Sequence, residues 1–303
     1  MQELRWIWMN GKLLKWEEAR VHVLSHALHY GTAIFEGIRC YRTSKGPAVF
    51  RLPEHIQRFF DSAKIIRMAL PYSKKEIEEA VLQVVRENQV EECYIRPIAF
   101  RGYGRMGVDP TECQVDCVIA AWCWGAYMGD KGLTEGIRAK ISSYVRTYIN
   151  AGSPRAKASA NYLNSALAKM EARELGYDEA ILLDKDGFVS EGSGENIFYV
   201  KNGVLFTPHP YSILLGITRD AVIQLARNLG MQVEETLCTR DDLYLADEVF
   251  FTGTAAEITP VVEIDNRQIG DGKPGPVTRK LQEHFFRIVR GEEPDYKHWL
   301  TYV

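Results

Sequence analysis

Hydrophobic and polar positions along the first third of the chain predict a hairpin followed by two helices. Residues 6–14 are apolar on both sides of an Asn-Gly pair, a dipeptide typical of two-residue hairpin turns. Residues 48–52 form another short apolar run and predict a strand. From Pro53 onwards the apolar residues recur about once per helical turn, and proline is well tolerated in the first turn of a helix. The pattern therefore predicts a helix from Pro53 and a second one that ends near Asn88.

The middle of the chain predicts further strands and then a break. Residues 94–100 and 115–122 are apolar and rich in β-branched and aromatic residues, which favours two strands. Residues 124–133 contain glycines and charged residues and are typical of a linker. Beyond them, the pattern predicts strands over 137–143, 180–183, 196–200, 204–206 and 248–252.

Two amphipathic segments lie among these later strands. Residues 161–175 predict a helix with Leu163, Leu167 and Met170 on its apolar face, and residues 218–229 predict a second helix with a glycine just past its end. Because strands outnumber helices here, a sheet-rich, barrel-like second domain is expected rather than a doubly wound one. The length of 303 residues is typical of two domains. The predicted organisation is a small α/β domain over 1–123, a linker over 124–134 and a larger domain over 135–303.

Composition and charge narrow the class of protein. Hydrophobic residues make up 46% and charged residues 25%, as in an ordinary globular protein. The 37 basic and 40 acidic residues nearly balance, which argues against a general nucleic-acid or anionic-membrane partner. The N-terminal segment is too short and too charged for a signal peptide, and no apolar run approaches the ~20 residues of a membrane span.

The cysteine and histidine residues predict neither disulfide bonds nor a metal site. The six cysteines include no CxxC pair, which indicates reduced thiols in a cytoplasmic protein. His22, His26 and His29 have helix-like spacing, but no acidic or cysteine partner stands near them in the sequence. We therefore expect core or surface histidines here and no metal site.

The most informative chemical motif is a lysine followed by an acidic, glycine-spaced loop. Lys157 stands in Lys-Ala-Ser-Ala-Asn-Tyr ahead of a predicted helix, and Glu191 stands in Ser-Glu-Gly-Ser-Gly-Glu-Asn between two predicted strands. A lysine that is desolvated or close to other cations is partly deprotonated and can form a Schiff base with an aldehyde. A carboxylate that faces a pyridine nitrogen keeps that nitrogen protonated. Standing alone, each would be a solvated lysine or a polar turn.

Two later segments have the features of phosphate-binding loops. Gly216-Ile217-Thr218 opens the second predicted helix, and the free backbone N–H groups of a helix N-terminus bind phosphate. Thr254 and Ala255 follow a predicted strand in a run of small residues that lets the backbone approach a ligand closely. An ordinary helix cap explains the first segment equally well when it is taken alone.

These four segments, in this order, resemble the fold-type IV pyridoxal phosphate enzymes, and most closely the branched-chain amino acid aminotransferases. The similarity runs from the Asn-Gly turn to the segment that begins at Gly275. It implies an α/β (α+β) fold with a small α/β domain and a larger pseudo-barrel domain, and pyridoxal 5'-phosphate as the cofactor. It also implies reversible transfer of the amino group from L-leucine, L-isoleucine or L-valine to 2-oxoglutarate by a ping-pong mechanism.

The resemblance also implies roles for individual residues. Lys157 would be the catalytic residue, and Arg58 would bind the phosphate and so place the cofactor between the domains. Glu191 would hold the ring nitrogen, with Glu195 and Asn196 behind it. The implied cofactor-binding residues are Lys157, Arg58, Tyr162, Glu191, Gly194, Leu214, Ile217, Thr218 and Thr254. The implied substrate-binding residues are Tyr30, Phe35, Gly37, Tyr94, Arg96, Val108, Trp124, Tyr127, Thr254 and Ala255.

By the same resemblance, Arg96 would bind the distal carboxylate of glutamate, and the aromatic residues would accept a branched aliphatic side chain. The loop 102–108 would complete a neighbouring subunit's pocket, which implies a homo-oligomer, at least a dimer, with a hexamer of dimers as the larger alternative. Ser159-Ala160 stand where relatives usually carry two glycines. This departure keeps open a same-fold transaminase of broader specificity, for D-amino acids or (R)-amines. An aminodeoxychorismate-type lyase and a non-catalytic vitamin-binding or scaffold protein also stay open.

Overall fold

The computed structural model describes residues 2–125 and 127–303, which divide into two compact units. Unit 1 contains residues up to 125 together with 156–160 and 287–303, and unit 2 contains the remainder. The predicted boundaries differ from this division, because they placed 156–160 and 287–303 in the second domain. The first of these segments pairs with unit 1 through an isolated bridge between Ile34 and Ala158.

The described residues form eighteen strands and eight α-helices. The strands are β1 Gln2–Glu3, β2 Trp6–Met9, β3 Lys12–Lys15, β4 Ala33–Phe35, β5 Ile38–Thr43, β6 Gly46–Phe50, β7 Cys93–Arg101, β8 Val115–Cys123, β9 Ile137–Val145, β10 Glu179–Leu183, β11 Val189–Gly192, β12 Asn196–Lys201, β13 Val204–Pro208, β14 Val233–Thr236, β15 Glu248–Gly253, β16 Glu257–Ile264, β17 Arg267–Gln268 and β18 Leu300–Tyr302. The helices are α1 His26–Tyr30, α2 Leu52–Ile65, α3 Lys74–Glu87, α4 Gly129–Glu135, α5 Tyr162–Glu174, α6 Ile217–Asn228, α7 Arg240–Tyr244 and α8 Pro276–Val289.

Unit 1 is built on an antiparallel sheet in the order β18-β6-β5-β7-β8-β2-β3, with β1 against β8 and β4 against β7. The predicted hairpin is confirmed: Asn10 and Gly11 both have positive φ, as the two-residue turn requires. The helices α2 and α3 bury their apolar faces in one core, in which Phe59 and Val81 are almost fully enclosed. The side chain of Ser73 accepts from the Glu76 amide and caps α3.

Unit 2 is built on a second sheet in the order β11-β10-β9-β16-β15-β12-β13-β14, with β17 against β16. The pairs β9–β10, β9–β16 and β13–β14 are parallel, and the other pairs are antiparallel. Every residue of β10 is buried, as expected for a strand covered on both faces. The amide of Gly192 donates to the carbonyl of Glu195, which joins the end of β11 to the start of β12. The sheet-rich second unit is therefore confirmed.

Several elements differ from the predictions. The strand predicted over 48–52 lies at Gly46–Phe50, because Leu52 already begins α2. The predicted linker contains the short helix α4, and residue 126 of that linker lies outside the described residues. Helix α8 was not predicted, although Leu281, Phe285 and Ile288 on its buried face recur about once per turn.

The predicted apolar face of α5 is wrong. Leu163 and Met170 are 68% and 57% exposed, whereas Ser165, Ala168 and Ala172 are buried. The small side chains let the helix pack closely on its sheet. The larger apolar residues recur with the same helical period on the exposed face, so periodicity alone did not show which face is buried. Among the described residues, no helix is long and apolar enough to cross a membrane.

Candidate active site

Lys157 is fixed by its backbone beside strand β4 of unit 1. Its amide donates to Ser62 Oγ on α2 at 3.0 Å, and its carbonyl accepts from the Phe35 amide at 3.0 Å. The ammonium nitrogen Nζ lies 4.9 Å from the centre of the Phe35 ring. Burial and then the nearby guanidinium groups of Arg58 and Arg96 outweigh Glu36 and lower the pKa of Lys157 to about 8. An appreciable fraction of this side chain is therefore an uncharged amine near neutral pH, as a nucleophilic lysine requires.

Arg58 on α2 is held by a buried carboxylate. Glu36 accepts from Arg58 Nε at 2.7 Å and from Nη2 at 2.8 Å, in a two-pronged ion pair. His55, one turn earlier on α2, donates from Nδ1 to the same carboxylate at 2.7 Å. Burial alone would raise the pKa of Glu36, but Arg58 and the hydrogen bonds outweigh it and hold this pKa well below its usual range. Burial lowers the pKa of His55, so that its imidazole is neutral.

Aromatic rings surround Arg96 on β7. Its guanidinium carbon lies 4.6 Å from the centre of the Phe35 ring, 5.4 Å from that of Tyr94 and 5.6 Å from that of Trp122. Its Nη2 donates to Tyr94 Oη at 3.2 Å, while its Nε is buried without a hydrogen-bond partner among the described residues. Trp124 packs edge-on against Tyr94, with their ring centres 5.0 Å apart. This cluster provides a cationic centre with apolar walls.

Gly37 leaves room for this cluster. A Cβ at this position would lie 2.0 Å from Tyr94 Oη, far inside van der Waals contact. Any side chain at Gly37 would therefore displace the Tyr94 ring. Gly37 is buried and directly precedes β5. The absence of a side chain at Gly37 therefore allows the Tyr94 ring to keep its place beside Arg96.

Two predicted substrate-binding residues, Tyr30 and Val108, are exposed on unit 1. The loop 102–108, which carries Val108, is hydrogen-bonded to His26, and His26 is fully buried. His26 Nε2 donates to the carbonyl of Gly107 at 2.7 Å, and Nδ1 accepts from Thr32 Oγ1 at 2.8 Å. The other two histidines of this segment also have partners, since His29 Nε2 donates to the Val23 carbonyl and His22 packs on Tyr103.

Glu191 is the buried acid of unit 2. Its Oε1 accepts from Arg146 Nε at 2.7 Å, and its Oε2 accepts from Asn196 Nδ2 and from the Leu214 amide, both at 3.1 Å. The Arg146 amide itself donates to the Leu183 carbonyl at 2.7 Å, which anchors the arginine to β10. These three donors determine where the Glu191 carboxylate points.

The start of α6 lies next to these groups. Gly216 caps the helix, and a Cβ there would lie 2.0 Å from Asn196 Oδ1, so only glycine permits this approach. Ile217 and Thr218 form the first turn and are buried. The first backbone N–H groups of a helix have no partner within the helix and attract anions.

The remaining predicted residues of unit 2 have separate surroundings. Thr254 and Ala255 lie partly buried in the turn between β15 and β16, and Tyr162 begins α5. Tyr127 is 36% exposed, with its ring centre 5.5 Å from Lys169 Nζ. The Gly194 amide donates to Glu195 Oε2.

The structure therefore brings some predicted residues together within each unit. In unit 1 the group is Lys157, Arg58, Phe35, Gly37, Tyr94, Arg96 and Trp124. In unit 2 it is Glu191, Leu214 and the start of α6. Sequence reasoning missed Glu36, His55 and Arg146. Glu36 stands between Phe35 and Gly37, both of which were predicted, and His55 lies one helical turn before Arg58. Nothing in the sequence marks Arg146.

The fold and this set of side chains define a class of protein, the pyridoxal phosphate-dependent enzymes of fold type IV. The family follows from comparison with known proteins. Residues 33–264 match the family Amino-transferase class IV, and the chain belongs to that family.

Individual relatives are similar over almost their whole length. The branched-chain-amino-acid aminotransferase of Escherichia coli (strain K12) is 53% identical over 301 residues, which cover 98% of this chain and 97% of the relative. The solved structure of the T.th. branched-chain amino acid aminotransferase with pyridoxamine 5'-phosphate superposes with a TM-score of 0.97 at 51% identity and covers 100% of this chain and 99% of the other. The structure of the same enzyme complexed with N-(5'-phosphopyridoxyl)-L-glutamate gives a TM-score of 0.95 at 50% identity, with the same coverage.

The residues present fit pyridoxal phosphate. Lys157 offers an amine with a pKa lowered to about 8, which suits an aldehyde. A guanidinium such as that of Arg58 and a helix N-terminus such as that of α6 are kinds of group that suit a phosphate. Glu191, fixed by Arg146, is a carboxylate suited to a protonated ring nitrogen.

Proposed function

We propose that this protein is a branched-chain amino acid aminotransferase. It would reversibly transfer the amino group of L-leucine, L-isoleucine or L-valine to 2-oxoglutarate in two half-reactions. The observation that carries the proposal is the Lys157 amine, held beside Phe35 with a pKa lowered to about 8, in a chain of the class IV aminotransferase family. The names of relatives at 50–53% identity support the substrate class.

In this proposal Lys157 would hold the cofactor and would move the substrate proton. Bound pyridoxal phosphate supplies an aldehyde that takes up the amino group and a ring that accepts the electron pair of the substrate α-carbon. The Lys157 amine would be the base that removes the substrate α-proton, and it would return a proton from Nζ. Its low pKa suits both directions, because the amine is close to half-protonated at about pH 8.

Arg58 would bind the phosphate, and Glu36 would hold the guanidinium plane in place. Glu191 would accept a hydrogen bond from the protonated ring nitrogen. The Arg146 ion pair fixes the direction in which the Glu191 carboxylate points. The backbone around Thr254 and Ala255 would bind the substrate α-carboxylate.

Arg96 and its aromatic walls would accept both types of substrate. A distal carboxylate, as in glutamate and 2-oxoglutarate, would pair with the Arg96 guanidinium. A branched aliphatic side chain would pack against the faces of Phe35 and Tyr94. The T.th. structure complexed with N-(5'-phosphopyridoxyl)-L-glutamate supports glutamate as one of the substrates.

We also propose that the protein forms a homodimer at least and acts in the cytoplasm. Apolar side chains stand exposed on unit 1, among them Val23, Leu28, Met106 and Val108. Exposed apolar side chains in this number favour a protein contact. Val108, which is 82% exposed, would then line a neighbouring subunit's substrate pocket. The six free cysteines agree with a reducing compartment.

The test is an absorption spectrum of the purified protein before and after addition of L-leucine. The visible band of the bound cofactor should convert on adding L-leucine and return on adding 2-oxoglutarate. Lys157→Ala should abolish this exchange while leaving the fold intact. A response to D-alanine or to an (R)-amine but not to L-leucine would overturn the substrate assignment. Release of pyruvate from added aminodeoxychorismate, without amino transfer from L-leucine, would indicate the lyase.

A further inference from the structure

Glu195 lies inside the turn that joins Glu191 to Asn196. Its side chain is only 6% exposed, and its Oε2 accepts from the Gly194 amide at 3.0 Å. A Cβ on Gly192 would lie 3.0 Å from the same oxygen, so the carboxyl fills the space beneath that glycine. The Glu195 carbonyl accepts from the Gly192 amide at 2.7 Å. The residue is therefore bound to the turn by both its backbone and its side chain.

The cluster of charged side chains around Glu195 contains more carboxylates than cations. Arg146 on the segment after β9 pairs with Glu191 on β11, and Lys169 on α5 pairs with Glu179 on β10. Each of these two cations already has a carboxylate partner, and Glu195 adds a third carboxylate to the cluster. The three carboxyl groups are 5%, 0% and 6% exposed for Glu191, Glu179 and Glu195. A third buried negative charge would be costly, and a bound proton removes it.

The pKa of Glu195 is raised, as this excess of carboxylates over cations leads one to expect. Burial, followed by the charge of Glu179, raises the pKa of Glu195 to about 8. Lys169 and the Gly194 amide oppose the increase, and Glu191 adds to it. The backbone of Gly253, which also packs against this side chain, carries no charge.

We propose that Glu195 is a positioning residue, whose carboxyl is held in the protonated form and fixes the turn that directs Glu191. In this form Oε2 accepts from Gly194 without placing a second negative charge beside Glu191. The inference rests on the proposed function, in which Glu191 faces the ring nitrogen of the cofactor. It adds a residue that touches neither cofactor nor substrate.

Protonation is tested by thermal unfolding of the cofactor-loaded protein and its Glu195→Gln variant across pH. The ordinary pKa of a glutamate is 4.5, and that of folded Glu195 is about 8. Between these values the unfolded chain releases a proton that the folded chain keeps, so the stability due to Glu195 is lost as pH rises through this window. Glutamine does not titrate. The folding equilibrium constant of the variant, divided by that of the wild type, should therefore rise about tenfold for each pH unit within this window. Above about pH 8 this ratio should stay constant.

Positioning is tested by the affinity for pyridoxal phosphate near neutral pH. Glu195→Gln keeps the length, the neutrality and an acceptor for Gly194, so its affinity should stay close to that of the wild type. Glu195→Asp is one methylene shorter and loses this hydrogen bond, so binding should weaken by about fivefold to tenfold, as for one lost hydrogen bond. Glu248→Gln is the matched control, because Glu248 is a buried glutamate of unit 2 that accepts from amides at the start of α8. Its affinity should not change.

Each result decides one part of the proposal. A stability difference between wild type and Glu195→Gln that is constant with pH would mean that Glu195 is ionised throughout, which would overturn protonation. Unchanged affinity in Glu195→Asp would overturn positioning. If the wild type binds no pyridoxal phosphate, the proposed function itself fails, and the same unfolding comparison on the two cofactor-free proteins still decides whether Glu195 carries a proton.

Discussion

Glu36 and Arg58 form a two-pronged ion pair, in which one carboxylate receives Nε at 2.7 Å and Nη2 at 2.8 Å. Glu36 has no solvent exposure, and Arg58 is 13% exposed at its side chain. The pair fixes the plane of the guanidinium group and neutralises its charge close to Lys157. The cation proposed to bind phosphate is thus oriented before any ligand arrives, which reduces the entropy lost on binding.

Glu36→Gln is expected to destabilise the protein and weaken cofactor binding. The substitution leaves a mostly buried guanidinium without its counter-charge, which costs about 3–5 kcal/mol for a buried pair. Chemical denaturation and a titration with pyridoxal phosphate measure the two effects. Glu91→Gln is the control, because Glu91 pairs with Arg42 at an exposed site and such pairs contribute at most about 1 kcal/mol. Equal losses in both variants would contradict a special role for Glu36.

Lys157 should react with aldehydes in a pH-dependent way in the cofactor-free protein. Only the neutral amine attacks, so the rate should rise with pH and level off above about pH 8, where Lys157 loses its proton. Glu36 raises the pKa of Lys157, so Glu36→Gln should move this midpoint to lower pH. The measurement is the rate of absorbance change with pyridoxal at a series of pH values, with Lys157→Ala as the blank. A midpoint near the ordinary lysine value of 10.5 would show that burial does not govern this amine.

Local patterns in the sequence predicted most elements of the fold. The hairpin around Asn10 and the helices α2, α3 and α6 follow from turn chemistry and apolar spacing, which act between near neighbours. The division into units did not follow, because it depends on pairings between distant segments. One example is β18 at the end of the chain, which pairs with β6.

The candidate site divides in the same way. Lys157 and Glu191 were identified from the motifs around them. Arg146, which holds Glu191, is 45 positions away and stands in no motif. The proposed protonation of Glu195 could not be predicted from the sequence either, because it depends on how many buried charges the fold brings together. Sequence similarity to a family identified the groups proposed for the chemistry, whereas the groups that orient them required the structure.

Gly37→Ala is expected to weaken substrate binding through Tyr94. The new methyl group would lie 2.0 Å from Tyr94 Oη and would push the ring away from Arg96, with which it shares a hydrogen bond. The Michaelis constant for L-leucine should rise by about tenfold or more, the equivalent of one misplaced contact. Steady-state kinetics and the unfolding temperature separate a local effect from general instability.

The double variant Gly37→Ala with Tyr94→Phe tests the cause. Removal of the hydroxyl leaves the ring carbon Cζ as the nearest atom, at 3.0 Å, so that a small shift of the ring relieves the contact. The double variant should therefore bind L-leucine better than Gly37→Ala alone. A Michaelis constant that is no better would mean that the methyl group acts elsewhere than on Tyr94.

His26 is expected to control the order of the loop 102–108. Its imidazole joins Thr32 to the carbonyl of Gly107, so His26→Phe keeps an aromatic ring at this position and removes both hydrogen bonds. Arg105 in this loop is exposed, and its cleavage by trypsin reports how often the loop leaves its folded position. Cleavage in His26→Phe should be about fivefold or more faster than in the wild type, as for at least one lost hydrogen bond. His26→Gln retains an amide that donates to Gly107 and should lie between the two. Equal cleavage in all three proteins would mean that the Arg105–Glu112 pair and the Cys113 contact to the Arg105 carbonyl suffice to hold the loop.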